Sequence, residues 1–156
     1  MKKLAMTLAM AAAIALPTLA QAREVTFTTQ LQNYRGDGAY IALYLVDASG
    51  QYQRTLWVAG KKVKYYKHLP DWARGSGLRS TEYDGVTGAS VLSGKTLSVT
   101  ADIADEFIDA GYEVRVDTAV EDMRDNRADV TAPLTTDGVG KSFSGRGYVQ
   151  SFSYSF

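Results

Sequence analysis

Apolar positions along the chain recur mostly at every second residue, in short runs. In VTFTTQL, residues 25–31, Val25, Phe27, Thr29 and Leu31 share one face, the alternation that marks a half-buried strand. AYIALYLVD, residues 39–47, is apolar on both faces, as a central strand is. Between them Arg35-Gly36-Asp37-Gly38 reads as a hairpin turn, and its RGD tripeptide is more simply a turn than an adhesion motif. Further strand-like runs follow at 53–59 (QRTLWVA), 96–102 (TLSVTAD), 112–122 (YEVRVDTAVED), 127–134 (RADVTAPL) and 147–156 (GYVQSFSYSF). Seven short strands with turn signals between most of them predict an all-β domain, an immunoglobulin-like β-sandwich of about seven strands. The Cys-Trp-Cys pattern of a true immunoglobulin domain is absent from the sequence. Trp57, inside an apolar strand, reads as core.

Residues 60–94 break this rhythm. Sandwich connections longer than about 12–15 residues are usually functional or disordered. Disorder fits poorly, because Tyr65, Tyr66, Leu69, Trp72 and Tyr83 supply aromatic and apolar anchors. The segment therefore predicts a folded insertion with a short helix at 69–73, Pro70 near its start, lying back over one end of the sandwich. Its Lys61, Lys62, Lys64 and Lys67 read as a solvated face. They also share the insertion with a run of hydroxyls and glycines, YDGVTGASVLSG (83–94), where a phosphate would be stabilised by nearby ammonium groups.

The first 22 residues have a different character. Lys2 and Lys3 precede an apolar stretch at 4–16, and Ala20-Gln21-Ala22 forms a small-x-small cleavage site, the anatomy of a secretory signal peptide. The stretch is too short for a bilayer span, which takes about 20 residues, so no transmembrane span is expected. Cleavage after Ala22 would leave a periplasmic domain of residues 23–156 with the insertion 60–94. The chain has 17 Lys+Arg and 17 Asp+Glu. Without Lys2 and Lys3 the balance is 15 to 17, a formal net of −2, and no nucleic-acid partner is expected. With no cysteine and one histidine, His68, thiolate metal sites, iron–sulfur ligation and a cysteine nucleophile are excluded. His68 lacks an evident triad partner and reads as a surface or loop residue, so neither catalytic nor metal-binding residues are predicted.

Asp84-Gly85-Val86-Thr87-Gly88-Ala89-Ser90 resembles the acceptor motif of exported flavinylated proteins: Asp, two variable residues, Ser or Thr, Gly, Ala, then Ser or Thr. A five-point match of this kind arises by chance in roughly one chain of this length per thousand. In the proteins it resembles, a separate magnesium-dependent FMN transferase uses FAD to attach FMN through a phosphoester to the final hydroxyl. The resemblance implies covalent FMN on Ser90, with Asp84, Thr87, Gly88 and Ala89 as the rest of the motif. Small neighbours at 88 and 89 leave that hydroxyl approachable. Asp84 reads equally well as the start of an Asx-turn, and Thr87 is similarly open. Tyr65, Tyr66, Trp72 and Tyr83 are candidates to stack on the isoalloxazine ring, though packing on the sandwich is the better reading of any single one.

RTLWVAGKKVKYYKHLPDW followed by DGVTGAS and a closing set of strands is similar to a family of small periplasmic proteins, immunoglobulin-like, that accompany membrane proteins of the PepSY type linked to electron transfer and iron uptake. Together the resemblances imply a periplasmic FMN-carrying electron-transfer protein rather than an enzyme, with an FMN transferase and a PepSY-type membrane redox partner. The alternative is a non-catalytic periplasmic binding module, serving iron or haem uptake, in which the motif is accidental. A small outer-membrane barrel, suggested by the alternating tail up to Phe156, fits the basic aromatic insertion poorly.

Overall fold

A computed structural model describes residues 20–156. The expected signal segment lies outside the described residues except for Ala20, Gln21 and Ala22, the last of which opens the first strand. Eight strands form two sheets: β1 (Ala22–Leu31), β2 (Tyr40–Val46), β3 (Tyr52–Ala59), β4 (Thr87–Gly88), β5 (Thr96–Ala104), β6 (Glu113–Ala119), β7 (Asn126–Pro133) and β8 (Val149–Ser155). The order is β5-β1-β8 in one sheet and β4-β3-β2-β6-β7 in the other. The protein is an all-β, immunoglobulin-like sandwich.

The alternation read from the sequence is what the sandwich buries. Val25, Phe27 and Leu31 of β1 face Ile41, Leu43 and Leu45 of β2, with Val114, Val116, Val130, Val149 and Phe152 from the later strands. Phe27 stacks on Phe152 at 6.3 Å between ring centroids. At the β2–β3 hairpin, Asp47 Oδ1 accepts the backbone N–H of Ser49 at 2.9 Å and of Gln51 at 3.0 Å, closing the turn.

The chain bends at Arg35, Gly36 and Asp37 but joins no hairpin there. β1 pairs with β5 and β8, while β2 pairs with β3 and β6, so this connection crosses from one sheet to the other. Turn chemistry is local. Which strands pair is decided by where two inner faces can be buried together.

β2 is apolar on both faces because both are covered. Its second face, Ala42, Tyr44 and Val46, packs with Val58 of β3 under Tyr66, Leu69, Trp72 and Tyr83 of the insertion. The insertion thus lies across the outer face of the five-stranded sheet, not merely over one end. It contains a 3₁₀ segment (Val63–His68), the helix α1 (Pro70–Ser76) and a further 3₁₀ turn (Ser80–Glu82). Pro70 sits at the start of α1, where its missing N–H costs nothing, and Gly77 ends the helix at φ +62°, a left-handed position that glycine adopts without penalty. Asp117 of β6, fully buried, fixes the helix from below: its Oδ2 accepts the backbone N–H groups of Asp71 and Trp72, each at 2.8 Å.

Candidate functional site

After α1 the chain returns along the edge of the five-stranded sheet. A tight turn brings it there, with Val86 N–H donating to the Tyr83 carbonyl at 3.0 Å and Gly85 at φ +82°. The Asp84 carboxylate is exposed and accepts no hydrogen bond, so the turn is closed by backbone alone and not by an Asx-turn. Thr87 and Gly88 form β4, parallel to Val58 and Ala59. Val58 N–H donates to the Val86 carbonyl at 2.9 Å and Gly60 N–H to the Gly88 carbonyl at 2.8 Å. Three residues on, Ala39 and Val91 exchange a pair of backbone hydrogen bonds of 2.7 and 3.0 Å. Ala89 and Ser90 therefore bridge two pinned points on a sheet edge, Ala89 exposed and Ser90 half-buried.

The glycine at 88 has a packing reason. A Cβ there would stand 2.6 Å from Cζ2 of Trp57, closer than carbon atoms approach. Trp57 is half-buried against the sandwich core, and its Nε1 has no hydrogen-bond partner. Gly38 plays the same part for Ser90, since an added Cβ would lie 2.7 Å from Ser90 Oγ.

Ser90 opens on a surface cavity of about 590 Å³, within the size range of small-molecule sites. Three segments distant in sequence build it. The β1–β2 connection gives Asp37 and Gly38, the insertion gives Lys62, Tyr65 and His68, and the β6–β7 connection gives Val120, Met123 and Asp125. Tyr40, the first residue of β2, joins them. Its ring packs edge-on to Tyr65 at 5.8 Å and its hydroxyl accepts the Lys62 N–H at 3.1 Å. Gly60 lets that ring lie flat over the backbone, because a Cβ there would come within 2.3 Å of it. Lys64 Nζ stands 4.9 Å and Lys62 Nζ 5.9 Å from the Tyr65 ring centre, and His68 Nδ1 meets Asp125 Oδ2 at 3.0 Å.

The aromatic residues singled out in the sequence separate into two groups. Tyr65 lines the cavity beside Ser90. Tyr66, Trp72 and Tyr83 are buried in the packing of the insertion on the sheet, with centroid separations of 5.1 to 6.1 Å. Trp72 Nε1 donates to Thr55 Oγ1 at 2.8 Å and the Tyr66 hydroxyl to the Gly60 carbonyl at 2.9 Å. Burial pushes the Tyr66 phenol above its ordinary range, so it remains a donor. Asp84 and Thr87 are exposed on the edge and are not among the residues that line the cavity. Sequence reasoning passed over Tyr40, Gly38, Val120 and Met123. Tyr40 carries no local sign of its role, because alternation places it only in a strand.

Chemically the arrangement offers a hydroxyl at the rim, an ammonium group at Lys62 able to hold a phosphate, an aromatic wall, and carboxylates at Asp37, Glu121, Asp122 and Asp125. Among the described residues no group of three or more His, Cys, Asp or Glu gathers to hold a metal ion, and no helix is long and apolar enough to cross a membrane. The profile of a family described as "Predicted periplasmic protein (DUF2271)" matches residues 22–151. No curated protein and no solved structure matches the chain.

Proposed function

The chain belongs to this family of predicted periplasmic proteins, and from that premise we propose that it is a periplasmic electron carrier holding FMN through a phosphoester on Ser90. The observation that carries the reading is the segment Asp84-Gly85-Val86-Thr87-Gly88-Ala89-Ser90, whose last hydroxyl lies on the rim of a cavity large enough for a cofactor.

The residues present suit the group. Gly38 leaves room around Ser90 Oγ where any side chain would intrude, Lys62 offers a positive charge for the phosphate, and Tyr40 and Tyr65 offer aromatic surface. Attachment is a phosphoryl-type transfer that balances without an oxidant. Ser90 Oγ attacks the FMN phosphorus of FAD, the pyrophosphate bond breaks, AMP leaves, and the hydroxyl proton passes to a base of the transferase. Ser90 needs no histidine beside it, since that enzyme brings metal and base. For the transferase to take hold, the edge must open locally. β4 has only two residues, and short edges with few buried contacts open at low cost. When bound, FMN supplies reversible electron transfer; the protein supplies position and electrostatics. Electrons would be exchanged with a membrane-bound partner of the PepSY type.

Co-expression with an FMN transferase followed by intact-mass measurement tests the reading. The expected product is heavier by one FMN less one water. Ser90→Ala abolishes the gain, with fold stability changed by less than about 0.5 kcal/mol, and Ser90→Thr keeps it. Wild type that stays unmodified, or Ser90→Ala that still carries covalent flavin, overturns it and leaves a non-catalytic binding module with the cavity as its site.

A further inference from the structure

A flavin tethered at a sheet edge could simply hang in solvent. The chemistry of the adjoining cavity argues otherwise. An isoalloxazine ring is flat and amphipathic, apolar at its dimethylbenzene end and rich in hydrogen-bonding groups at its pyrimidine end. The cavity offers both kinds of surface. Val120 and Met123 are apolar, Glu121 and Asp122 on the same segment carry carboxylates, and Lys62 and His68 offer polar groups from the insertion. Tyr65 is held edge-on by Tyr40, so a planar ligand meets an aromatic surface already ordered.

We propose that this cavity is an isoalloxazine seat, with Tyr65 as its aromatic wall and Met123 as its apolar one. The seat is occupied by the ring of the FMN tethered to Ser90 and so rests on the attachment proposed above. Tethering makes the demand on the cavity small. A short flexible link raises the local concentration to the order of millimolar, so a weak intrinsic affinity suffices to hold the ring in place. The insertion and the β6–β7 connection, about 60 residues apart in sequence, are then brought to one site by the ligand as well as by the fold.

Flavin fluorescence reads the seat directly, because a tyrosine ring in contact quenches it. In flavinylated wild-type protein the expected emission is low when folded and rises severalfold on unfolding in urea. Tyr65→Leu and Met123→Ala, both at positions outside the buried core, should each raise the folded emission while leaving the circular dichroism melt in place. Folded emission equal to unfolded emission means that the ring is in solvent; the seat is then overturned while the attachment stands. Quenching that neither variant relieves places the ring elsewhere and also overturns it. If Ser90 is never modified, the attachment reading has failed, and the seat is judged alone by titrating unmodified protein, up to millimolar, into a fixed trace of free FMN. Saturable quenching lost in Tyr65→Leu upholds it; no quenching overturns it.

Discussion

At Gly38 a methyl group would stand 2.7 Å from Ser90 Oγ, so Gly38→Ala must shift one of the two. Overpacking of this kind costs about 1–3 kcal/mol in a rigid surrounding. Here the displaced atom is the end of a short side chain on a half-buried edge, and the expected stability loss is at or below the bottom of that range. If Ser90 carries FMN as proposed, the larger effect is expected on flavinylation, which should slow in single-turnover assays with the transferase. Gly88→Ala behaves differently. Its Cβ would meet Cζ2 of Trp57 at 2.6 Å and Cε2 at 3.3 Å, two atoms of a rigid ring, so a loss of about 2 kcal/mol is expected as a lower urea midpoint with an unchanged slope. The same glycine thus has a fold-level reason to be present, independent of any enzyme that reads the motif. Trp57 and Trp72 also differ in their polar ends. Trp57 Nε1 has no partner, whereas Trp72 Nε1 is bonded to Thr55. Trp57→Phe leaves no acceptor unpaired and should cost less than Trp72→Phe, by about 1 kcal/mol.

One buried carboxylate anchors the helix of the insertion. Asp117 accepts hydrogen bonds from the Tyr44 hydroxyl at 2.9 Å, from Ala128 N–H at 2.8 Å, and from the first N–H groups of α1. An amide in its place would turn its NH₂ toward backbone donors on one side or the other. Asp117→Asn is therefore expected to cost about 3 kcal/mol, the penalty for leaving buried donors unpaired. Burial pushes the Asp117 carboxyl above its ordinary value of 3.8, outweighing the donors that favour the charge. In the folded protein it consequently holds its proton at pH values where the unfolded chain has released it. Stability from this group is greatest below pH 3.8 and declines as pH rises from there through the raised folded value. Urea titrations from pH 3.5 upward should show that decline in wild type, superposed on the gains from other carboxylates, and Asp117→Asn should remove it.

On the scale of the whole molecule two cores share one strand. β2 presents Ile41, Leu43 and Leu45 to the sandwich interior and Ala42, Tyr44 and Val46 to the insertion. No disulfide supports either core. The insertion cannot detach without uncovering half of the central strand, and such an apolar face in water favours association. Unfolding is therefore expected as one cooperative step, with tryptophan fluorescence and far-UV circular dichroism tracing the same urea curve. Trp72→Ala should move that single curve by about 3–5 kcal/mol, the cost of emptying a buried indole site. Two separated transitions would show that the insertion melts by itself.

The sequence alone determined the seven longer strands, the sandwich class, the folded character of residues 60–94 and a helix beginning near Pro70. Each of these is written in local terms. A strand with one face in water must alternate, and an insertion that folds must carry its own apolar anchors. It also offered Ser90 as a candidate for attachment, through a motif that lies within seven consecutive residues. Tertiary structure decided what depends on partners far along the chain. β4 is two residues long, too short for any period, and exists only because Val58 and Gly60 donate to it. The Arg35–Gly38 turn joins two sheets because burial of the inner faces, not the turn, selects strand partners. Of four aromatic residues in the insertion, only Tyr65 lines the cavity with Ser90, while Tyr40 was invisible as a wall residue. Side chains choose between core and site according to which distant segment packs against them, and a single sequence does not contain that pairing in any local pattern.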